Sequence, residues 1–180
     1  MKNFFLNSSE SKNFLLKKKI LGLCVTEGRY SIADLSRELN TSIPTTTKLV
    51  EELIEEGFLE DLGKLDTNGG RRPNIYGLKA SAGYFIGTDV RRHHVSIAIA
   101  DFRGDIVDYI DSIPFKVESS ADSFRNLCSI IKDNIRKSGI KEEEVLAYGL
   151  NLSGRVNNET GYCFTYFIGE DRPIASLMEE

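Results

Sequence analysis

The stretch SIADLSRELNTSIPTTTKLVEELIEEG, residues 31–57, decides the fold. Ser31, followed three residues later by Asp34, is a variant of the capping box that begins a helix. Apolar side chains then recur at helical spacing. The first half of the stretch therefore predicts a short helix over Ile32–Leu39, whose buried side is formed by Ile32, Leu35 and Leu39.

A second, longer helix is predicted after a polar turn. Ser42 can accept hydrogen bonds from the first N–H groups of this helix, and Pro44 is tolerated in its first turn because N–H groups there have no intrahelical partner. We predict that the helix continues to about Glu56, since Gly57 is the residue type expected just past a helix end. A short helix, a tight turn and a longer capped helix are typical of a helix-turn-helix.

The flanking segments extend this pattern to a winged helix-turn-helix. Helical spacing of apolar residues predicts a preceding helix over Asn13–Cys24 or a little beyond. On the other side, Phe58–Leu62 and Asn74–Leu78 are predicted strands that enclose a Gly-, Asn- and Asp-rich loop, Gly63–Pro73. A hairpin at this place in the chain is the expected wing.

The longer helix is the predicted DNA reader. Its inward side is placed at Thr46, Leu49, Val50 and Leu53. Four glutamates occupy much of its second half, and carboxylates repel phosphate, so the N-terminal half must enter the major groove. Threonine side chains and a lysine suit base edges or phosphates, and two arginines in the wing loop suit the DNA backbone or minor groove. The predicted DNA contacts are Ser42, Pro44, Thr45, Thr47, Lys48, Arg71 and Arg72.

The same residues have less specific interpretations. Small three-helix units with a hairpin also serve as protein-interaction modules, and the Arg71–Arg72 pair can be merely an exposed turn. The run Lys17–Lys19 is interpreted as a solvated helix face, with phosphate contact as the minority alternative. DNA binding is the favoured interpretation of the pattern as a whole.

From Ala82 onward, β-branched residues and alternation replace the helical pattern. Three strands joined by tight turns predict an antiparallel meander, which a helix, a fourth strand and a candidate fifth strand follow. The predicted segments are Tyr84–Val90, Val95–Ala100, Ile106–Phe115, a helix over Ala121–Lys137 capped by Ser119 or Ser120, Val145–Leu152 and Tyr162–Ile168. This order predicts a layered α/β domain.

Charge and composition agree with two different halves. The chain of 180 residues has a net charge of −4 from 23 basic and 27 acidic side chains. Residues 1–78 hold 11 of each sign and are neutral, so the remaining 12 basic and 16 acidic side chains place the whole acidic excess after residue 78. No stretch approaches the length of a membrane span, and the three scattered cysteines predict a reducing cytoplasm rather than disulfides.

Several runs taken together resemble the ROK family, which joins sugar-responsive transcriptional repressors with sugar kinases. They are GGRRP at 69–73, GYFIGTD at 83–89, DFRG at 101–104, and YGLNLSGRV at 148–156 with ETG at 159–161. The resemblance implies an α + α/β chain. Residues 1–78 would form the winged helix-turn-helix, and residues 79–180 the first, incomplete part of an actin-like, hexokinase-like (ribonuclease H-like) ATPase-fold domain.

The kinase branch of the family ends its first strand in Asp-x-Gly-Gly-Thr. Here Asp89 is kept and Val90 occupies the variable position, but Arg91, Arg92 and His93 replace the two glycines and the threonine. Bulky side chains at the glycine positions block a close approach of nucleotide phosphate, so we expect no ATP-dependent phosphoryl transfer. The adjacent histidines lack partners at ligand spacing, and no metal site is expected there.

The resemblance also implies an effector. In the family, the loop after the fourth strand lies at the sugar pocket, and the matching residues here are Ser153, Gly154 and Arg155; a simple turn glycine is the equal alternative for Gly154. The other sugar-holding residues, and the clustered cysteines that bind zinc, come later in the family pattern. The chain is then either a fragment of a longer protein, which is the favoured interpretation, or a natural short form without a complete sugar site, and we expect no cofactor in this segment.

The resulting expectation is a cytoplasmic, DNA-binding repressor of sugar metabolism genes that is not an enzyme. Its implied partners are double-stranded operator DNA, a sugar or sugar-derivative effector, and further copies of the chain in a homodimer or higher homo-oligomer. The alternatives are a ROK-type sugar kinase and a protein-interaction module without a DNA role.

Overall fold

The computed structural model describes residues 11–64, 73–118, 120–166 and 172–178, which form two compact units. The first unit extends to Gly83 and also includes the turn Asp101–Gly104, while the second comprises Tyr84–Ala100 and the chain from Asp105. No helix within the described ranges is both long and apolar enough to cross a membrane.

The first unit ends later than the predicted boundary at residue 78. A 3-10 turn at Ala80–Ala82 continues it, and Ala82 is buried. Within this unit the ring centroids of Phe102 and Phe58 lie 5.7 Å apart, and the Phe102 N–H donates to the carbonyl of Ala80 at 3.1 Å. Phe102 is thus part of this apolar core. Its contact with Phe58 joins residues that are far apart in the chain, so local sequence patterns do not predict it.

Three helices and a small sheet make up the first unit. The elements are α1 (Lys12–Glu27), β1 (Arg29–Ser31), α2 (Ile32–Leu39), α3 (Ile43–Glu55), β2 (Leu59–Lys64) and β3 (Asn74–Leu78). The sheet is antiparallel with the order β1-β3-β2. β3 has the predicted bounds, whereas β2 begins one residue later and ends two residues later than the predicted Phe58–Leu62. The three-residue β1 was not predicted, because it pairs with β3, far along the chain.

Capping residues set the helix boundaries in the first unit. The side-chain oxygens of Ser11, Ser31 and Ser42 accept the N–H groups of Phe14, Asp34 and Thr45, three residues further on in each helix. Gly28 and Gly57 follow α1 and α3 with φ of 83° and 82°, a region that costs other L-residues energy. The helix-turn-helix is therefore encoded by local sequence signals.

The core of the first unit draws on all three helices and on the wing strands. Its largest fully buried side chains are Ile20, Leu35, Leu49, Leu53, Phe58 and Leu59. A close backbone approach is built into the sheet at Gly77, where an added Cβ would lie 2.9 Å from the carbonyl oxygen of Gly28. The core thus holds α3 with one face inward.

The second unit is a mixed sheet with a helix. Its elements are β4 (Tyr84–Val90), β5 (His94–Asp101), β6 (Ile106–Pro114), α4 (Ala121–Lys137), β7 (Val145–Leu152) and α5 (Ile174–Met178), with a 3-10 turn at Glu142–Glu144. The strand order is β6-β5-β4-β7, in which β5 and β6 are antiparallel and β4 and β7 are parallel. A core lies between the sheet and α4, and its members include Ile86, Val95, Ile97, Phe124, Leu127 and Ile131.

The predicted fifth strand, Tyr162–Ile168, is wrong for the described residues 162–166. Only an isolated bridge between Val156 and Cys163 occurs there. The N–H of Asn157 donates to the carbonyl of Tyr162, and that of Phe164 to Arg155, both at 2.9 Å. The segment therefore folds back on the loop after β7 instead of joining the sheet. Residues 167 and 168 lie outside the described ranges.

Candidate functional site

The recognition helix of the predicted helix-turn-helix, α3, has a buried and an exposed side. The buried residues are Thr46, Leu49, Val50 and Leu53, as predicted. On the other side Pro44, Thr45 and Lys48 are exposed, and Thr47 is half-buried. The predicted DNA contacts of this helix thus lie together at its N-terminal half.

Hydroxyl groups at the start of α3 are already engaged within the protein. The hydroxyls of Ser42 and Thr45 lie 2.8 Å apart, and that of Thr47 donates to the carbonyl of Ile43 at 2.9 Å. The hydroxyl oxygens of Thr45 and Thr47 keep acceptor capacity for an outside donor, whereas that of Ser42 also accepts the N–H of Thr45. Ser42 thus has a structural role as the N-cap of α3. The methyl group of the exposed Thr45 is available to a ligand.

Ile43 is an exposed apolar residue that the sequence analysis did not select. It is the first residue of α3, and 56% of its surface is accessible. Its exposure could have been predicted from the sequence, because Ile43 directly follows the N-cap and does not belong to the regularly spaced positions that face the core. A branched apolar side chain at this place can contact the C5-methyl group of thymine in a major groove.

Lys17 is buried, which corrects its interpretation as part of a solvated face. Only 8% of it is exposed, and its Nζ lies 2.6 Å from Glu56 Oε1 and 2.9 Å from Glu52 Oε2. The buried face of α1 runs through Lys17, Ile20, Leu21 and Cys24, a helical spacing that includes this lysine. The long aliphatic stem allows such burial while the ammonium group meets two carboxylates.

The ion pairs of Lys17 change the pKa values of the groups involved. Burial acts to lower the pKa of Lys17, but hydrogen bonds to Glu56 and Glu52 outweigh it and raise that pKa above 10.5. The hydrogen bond from Lys17 lowers the pKa of Glu52 below 4.5, although partial burial opposes it. Both Lys17 and Glu52 are therefore charged near neutral pH.

Lys48 projects from the exposed side of α3. Its side chain is 73% accessible, and its Nζ lies 3.9 Å from Glu52 Oε1, at the limit of an ion pair. Such a surface pair contributes little stability. The ammonium group of Lys48 is therefore available to a phosphate or a guanine.

The tip of the wing, with the predicted contacts Arg71 and Arg72, lies outside the described residues. At the base of the wing, Asp61 accepts the N–H of Gly63 at 2.8 Å and the side-chain amide of Asn74 at 2.9 Å. These bonds join the ends of β2 and β3. Asp61 therefore organises the point from which the wing loop departs.

The predicted effector residues of the second unit lie in the loop after β7. Both the N–H and the hydroxyl of Ser153 donate to the carbonyl of Val90 at 3.2 Å, and the N–H of Arg155 donates to Thr165 Oγ1 at 2.9 Å. A Cβ at Gly154 would lie 2.9 Å from that of Thr165. Close packing against Thr165 therefore favours glycine at position 154. The Arg155 side chain is exposed.

A cavity of about 680 Å³ opens on the sheet of the second unit. Asp89 lines it and accepts hydrogen bonds from Arg91 Nε at 2.8 Å and from Asn151 Nδ2 at 2.7 Å. A second pair consists of Ser96 and Asp111, at 2.7 Å, and this hydrogen bond lowers the pKa of Asp111. The cavity is lined by these strand residues, whereas the predicted effector loop lies beyond the end of β7.

The turn after β4 holds Arg91, Arg92 and His93, which replace the glycines and threonine of the kinase motif. Val90, the last residue of β4, is buried, and Arg91 forms the ion pair with Asp89. Asp89, the acidic residue that the kinase motif shares, is thus engaged by a neighbouring cation. Within the described ranges, no group of three or more His, Cys, Asp or Glu side chains could hold a metal ion.

Comparisons with known proteins bear on both units. Residues 15–60 match a family described as winged helix-turn-helix DNA-binding. A putative xylose repressor of Caldicellulosiruptor sp. (strain Rt8B.4) is 25% identical over 146 residues, which are 81% of this chain and 36% of that protein. The xylose repressor of Bacillus spizizenii is 32% identical over 93 residues, 52% of this chain and 23% of that protein. The chain spans about a third of the length of the first of these relatives.

A solved structure gives the fold. The crystal structure of a ROK family transcriptional regulator, a homologue of the E. coli MLC protein, superposes with a TM-score of 0.65 at 17% identity, covering 91% of this chain and 41% of that one. The expectation that the chain is not an enzyme agrees with the curated relatives, whose names are those of repressors. The predicted resemblance is thus confirmed: the chain carries a winged helix-turn-helix and has the fold of a ROK family transcriptional regulator.

Proposed function

We propose that this chain acts in a repressor-type transcriptional regulator that binds double-stranded operator DNA through α3. The observation that carries the proposal is the exposed N-terminal half of that helix, where Ile43, Thr45 and Lys48 lie on the side opposite the core. Recognition helices of helix-turn-helix proteins contact base edges with their first residues. This half also carries the cation of the helix, whereas the second half carries the glutamates.

Each part of the proposed interface has its own role. Lys48 would contact a phosphate or guanine, Thr45 and Thr47 the base edges or phosphates beside it, and Ile43 a thymine methyl. Ser42 would act mainly by fixing the start of the helix. The arginines of the wing loop, Arg71 and Arg72, would add backbone or minor-groove contacts.

The second unit would link DNA binding to a sugar. Two curated relatives are named as xylose repressors, and this chain matches 36% of the length of one and 23% of the other. We propose that a sugar or sugar derivative binds near Ser153, Gly154 and Arg155 in the complete protein, and that a homodimer or higher oligomer presents two helices to two half-sites. If the sugar changes the affinity of the protein for DNA, linkage requires that DNA change the affinity for the sugar by the same factor.

DNA binding is tested by selecting duplexes from a random-sequence library with the purified chain. We expect enrichment of one sequence, bound more tightly than a scrambled duplex of the same composition in a fluorescence anisotropy titration. If no sequence is enriched and the chain shows no salt-dependent affinity for any duplex, the protein-interaction alternative replaces the proposal.

The sugar response is tested on the selected duplex with the longest available form of the protein. Titration with D-xylose should change the DNA affinity, whereas L-xylose at the same concentration should not. Sedimentation velocity on the same sample measures the oligomeric state. The absence of any response to a panel of sugars would contradict the effector part and leave the DNA-binding part standing.

A further inference from the structure

Glu52 lies between two lysines that belong to different helices. Its Oε2 is 2.9 Å from Lys17 Nζ, and its Oε1 is 3.9 Å from Lys48 Nζ. Lys17 is buried on α1, whereas the side chain of Lys48 is 73% accessible on the proposed DNA-binding face. One carboxylate therefore has a short, enclosed ion pair on one side and a long, exposed contact on the other.

The two lysines compete for this carboxylate. A lysine four residues before a glutamate, as Lys48 is before Glu52, has the less favourable of the two orientations for a pair on one helix. The Lys17 pair is shorter and more enclosed, and Lys17 also meets Glu56 at 2.6 Å. The cross-helix pair therefore satisfies Glu52 and leaves the Lys48 ammonium group to solvent.

Other acidic side chains of α3 lie near this cluster. Glu51 and Glu55 belong to the same helix, and both are exposed. Without a cation from α1, the helix would present all of its glutamates unneutralised, within a Debye length of a phosphate contacted by Lys48. Lys48 would then be the nearest cation to Glu52 and would be drawn back towards its own helix.

We infer that Lys17 is a positioning residue for DNA binding, which holds Glu52 on the α1 side and so leaves Lys48 to contact DNA. The inference rests on the proposed function and adds to it a buried residue that does not touch DNA. It also gives a reason why an acidic segment is tolerated in a recognition helix: two of the four carboxylates, those of Glu52 and Glu56, share an ion-pair partner on α1, whose single positive charge halves their combined negative charge.

The test compares the DNA affinity of the wild-type chain with that of Lys17→Met, which keeps an apolar stem of similar length but removes the charge. We expect Lys17→Met to weaken binding of the selected duplex about fivefold at low salt, the scale of one charge interaction near a surface. Lys17→Arg should restore most of the affinity. Circular dichroism and thermal unfolding check that each variant is folded.

Two double variants separate positioning from packing. If Lys17 acts through Glu52, Lys17→Met should reduce the DNA affinity only slightly in a Glu52→Gln background, because the carboxylate that would hold Lys48 is absent. The reduction in DNA affinity should also be small in a Lys48→Ala background. A loss of affinity that persists undiminished in both backgrounds would overturn the inference, as would wild-type affinity of folded Lys17→Met.

A further comparison applies if Lys17→Met does not fold. Because Lys17 already forms a close ion pair with Glu52, Glu52→Gln should strengthen DNA binding less than Glu51→Gln, which removes an exposed carboxylate of the same helix. The opposite order would overturn the inference. Failure of the wild-type chain to bind any duplex would instead contradict the proposed function, so the two failures are distinguishable.

Discussion

Three consecutive threonines at the start of α3 occupy three different environments. Thr45 is exposed, Thr47 is half-buried, and Thr46 is fully buried. The Thr46 hydroxyl donates to the carbonyl of Ser42 at 3.1 Å and lies 2.8 Å from the hydroxyl of Thr41. Thr46 therefore ties the polar turn to the helix, while its neighbours face outward.

Replacement of Thr46 by valine should lower the free energy of unfolding by about 1–3 kcal/mol, because the Thr41 hydroxyl would lose its buried partner. Thr45→Val, at the exposed neighbouring position, is the matched control and should change stability little. Urea unfolding followed by circular dichroism measures both. Equal effects of the two substitutions would contradict the assigned role of Thr46.

Cys24 lies on the buried face of α1, and the reactivity of its thiol reports on that burial. Burial raises the pKa of its thiol to about 11, so almost none of it is thiolate at neutral pH. We predict that iodoacetamide modifies Cys24 more slowly than the half-buried Cys163 in the native chain, as followed by peptide mass spectrometry. Equal rates for the two thiols in the native state would contradict this burial.

Residue-level prediction from sequence succeeded where spacing was unambiguous. The inward positions of α3 were predicted because its apolar side chains recur regularly and its cap is clear. Lys17 was misassigned because α1 carries apolar residues on several sides, among them the exposed Leu15 and Val25. Which face of α1 is buried is decided by contacts with α3, a helix that follows much later in the chain.

At the scale of elements, the local signals at helix and strand ends were largely sufficient. The bounds of α2, α4, β3, β4 and β7 agree with the prediction. Serine caps and glycines determine the helix ends, and alternation determines the strands. By contrast, β1 is defined only by its pairing with β3. The segment after β7 folds back through backbone hydrogen bonds, which cannot be predicted from the pattern of side chains.

Two glycines test the packing of the first unit. At Gly77 an added Cβ would lie 2.8 Å from Leu62 Cδ1 and 2.9 Å from the carbonyl oxygen of Gly28, whereas at Gly22, in the middle of α1, nothing lies within 4 Å. Gly22→Ala should stabilise the chain by about 0.5–1 kcal/mol through helix propensity. Gly77→Ala should destabilise it, because a backbone atom must move. Thermal unfolding distinguishes the signs, and stabilisation by both would contradict the close approach.

The ion pairs between α1 and α3 predict a pH dependence. The lowered pKa of Glu52 contributes stability that is present above 4.5 and is lost as the pH falls through its folded-state value. The raised pKa of Lys17 contributes stability that is present below 10.5 and is lost as the pH rises through its folded-state value. The stability difference between wild type and Lys17→Met should therefore be greatest between these limits and shrink in acid. Urea titrations across this range measure it, and a pH-independent difference would contradict the assignment.

At the scale of the whole molecule, the charge distribution agrees with the proposed division of roles. The neutral first 78 residues hold the exposed lysine of α3, and the acidic excess belongs to the rest of the chain. Local placement of cations, rather than net charge, decides whether DNA is bound. The net charge of −4 is thus compatible with a DNA-binding chain.

The most direct test of DNA binding through α3 is the salt dependence of binding to the selected duplex, measured by fluorescence anisotropy for wild type, Lys48→Ala and Lys137→Ala. Lys137 is an exposed lysine of α4 in the second unit and serves as the matched control. We predict that the logarithm of the binding constant falls linearly with the logarithm of salt concentration, and that Lys48→Ala weakens binding and reduces the slope by about one, whereas Lys137→Ala leaves both unchanged. Binding without salt dependence, or identical behaviour of the two lysine variants, would contradict the proposal that α3 contacts DNA.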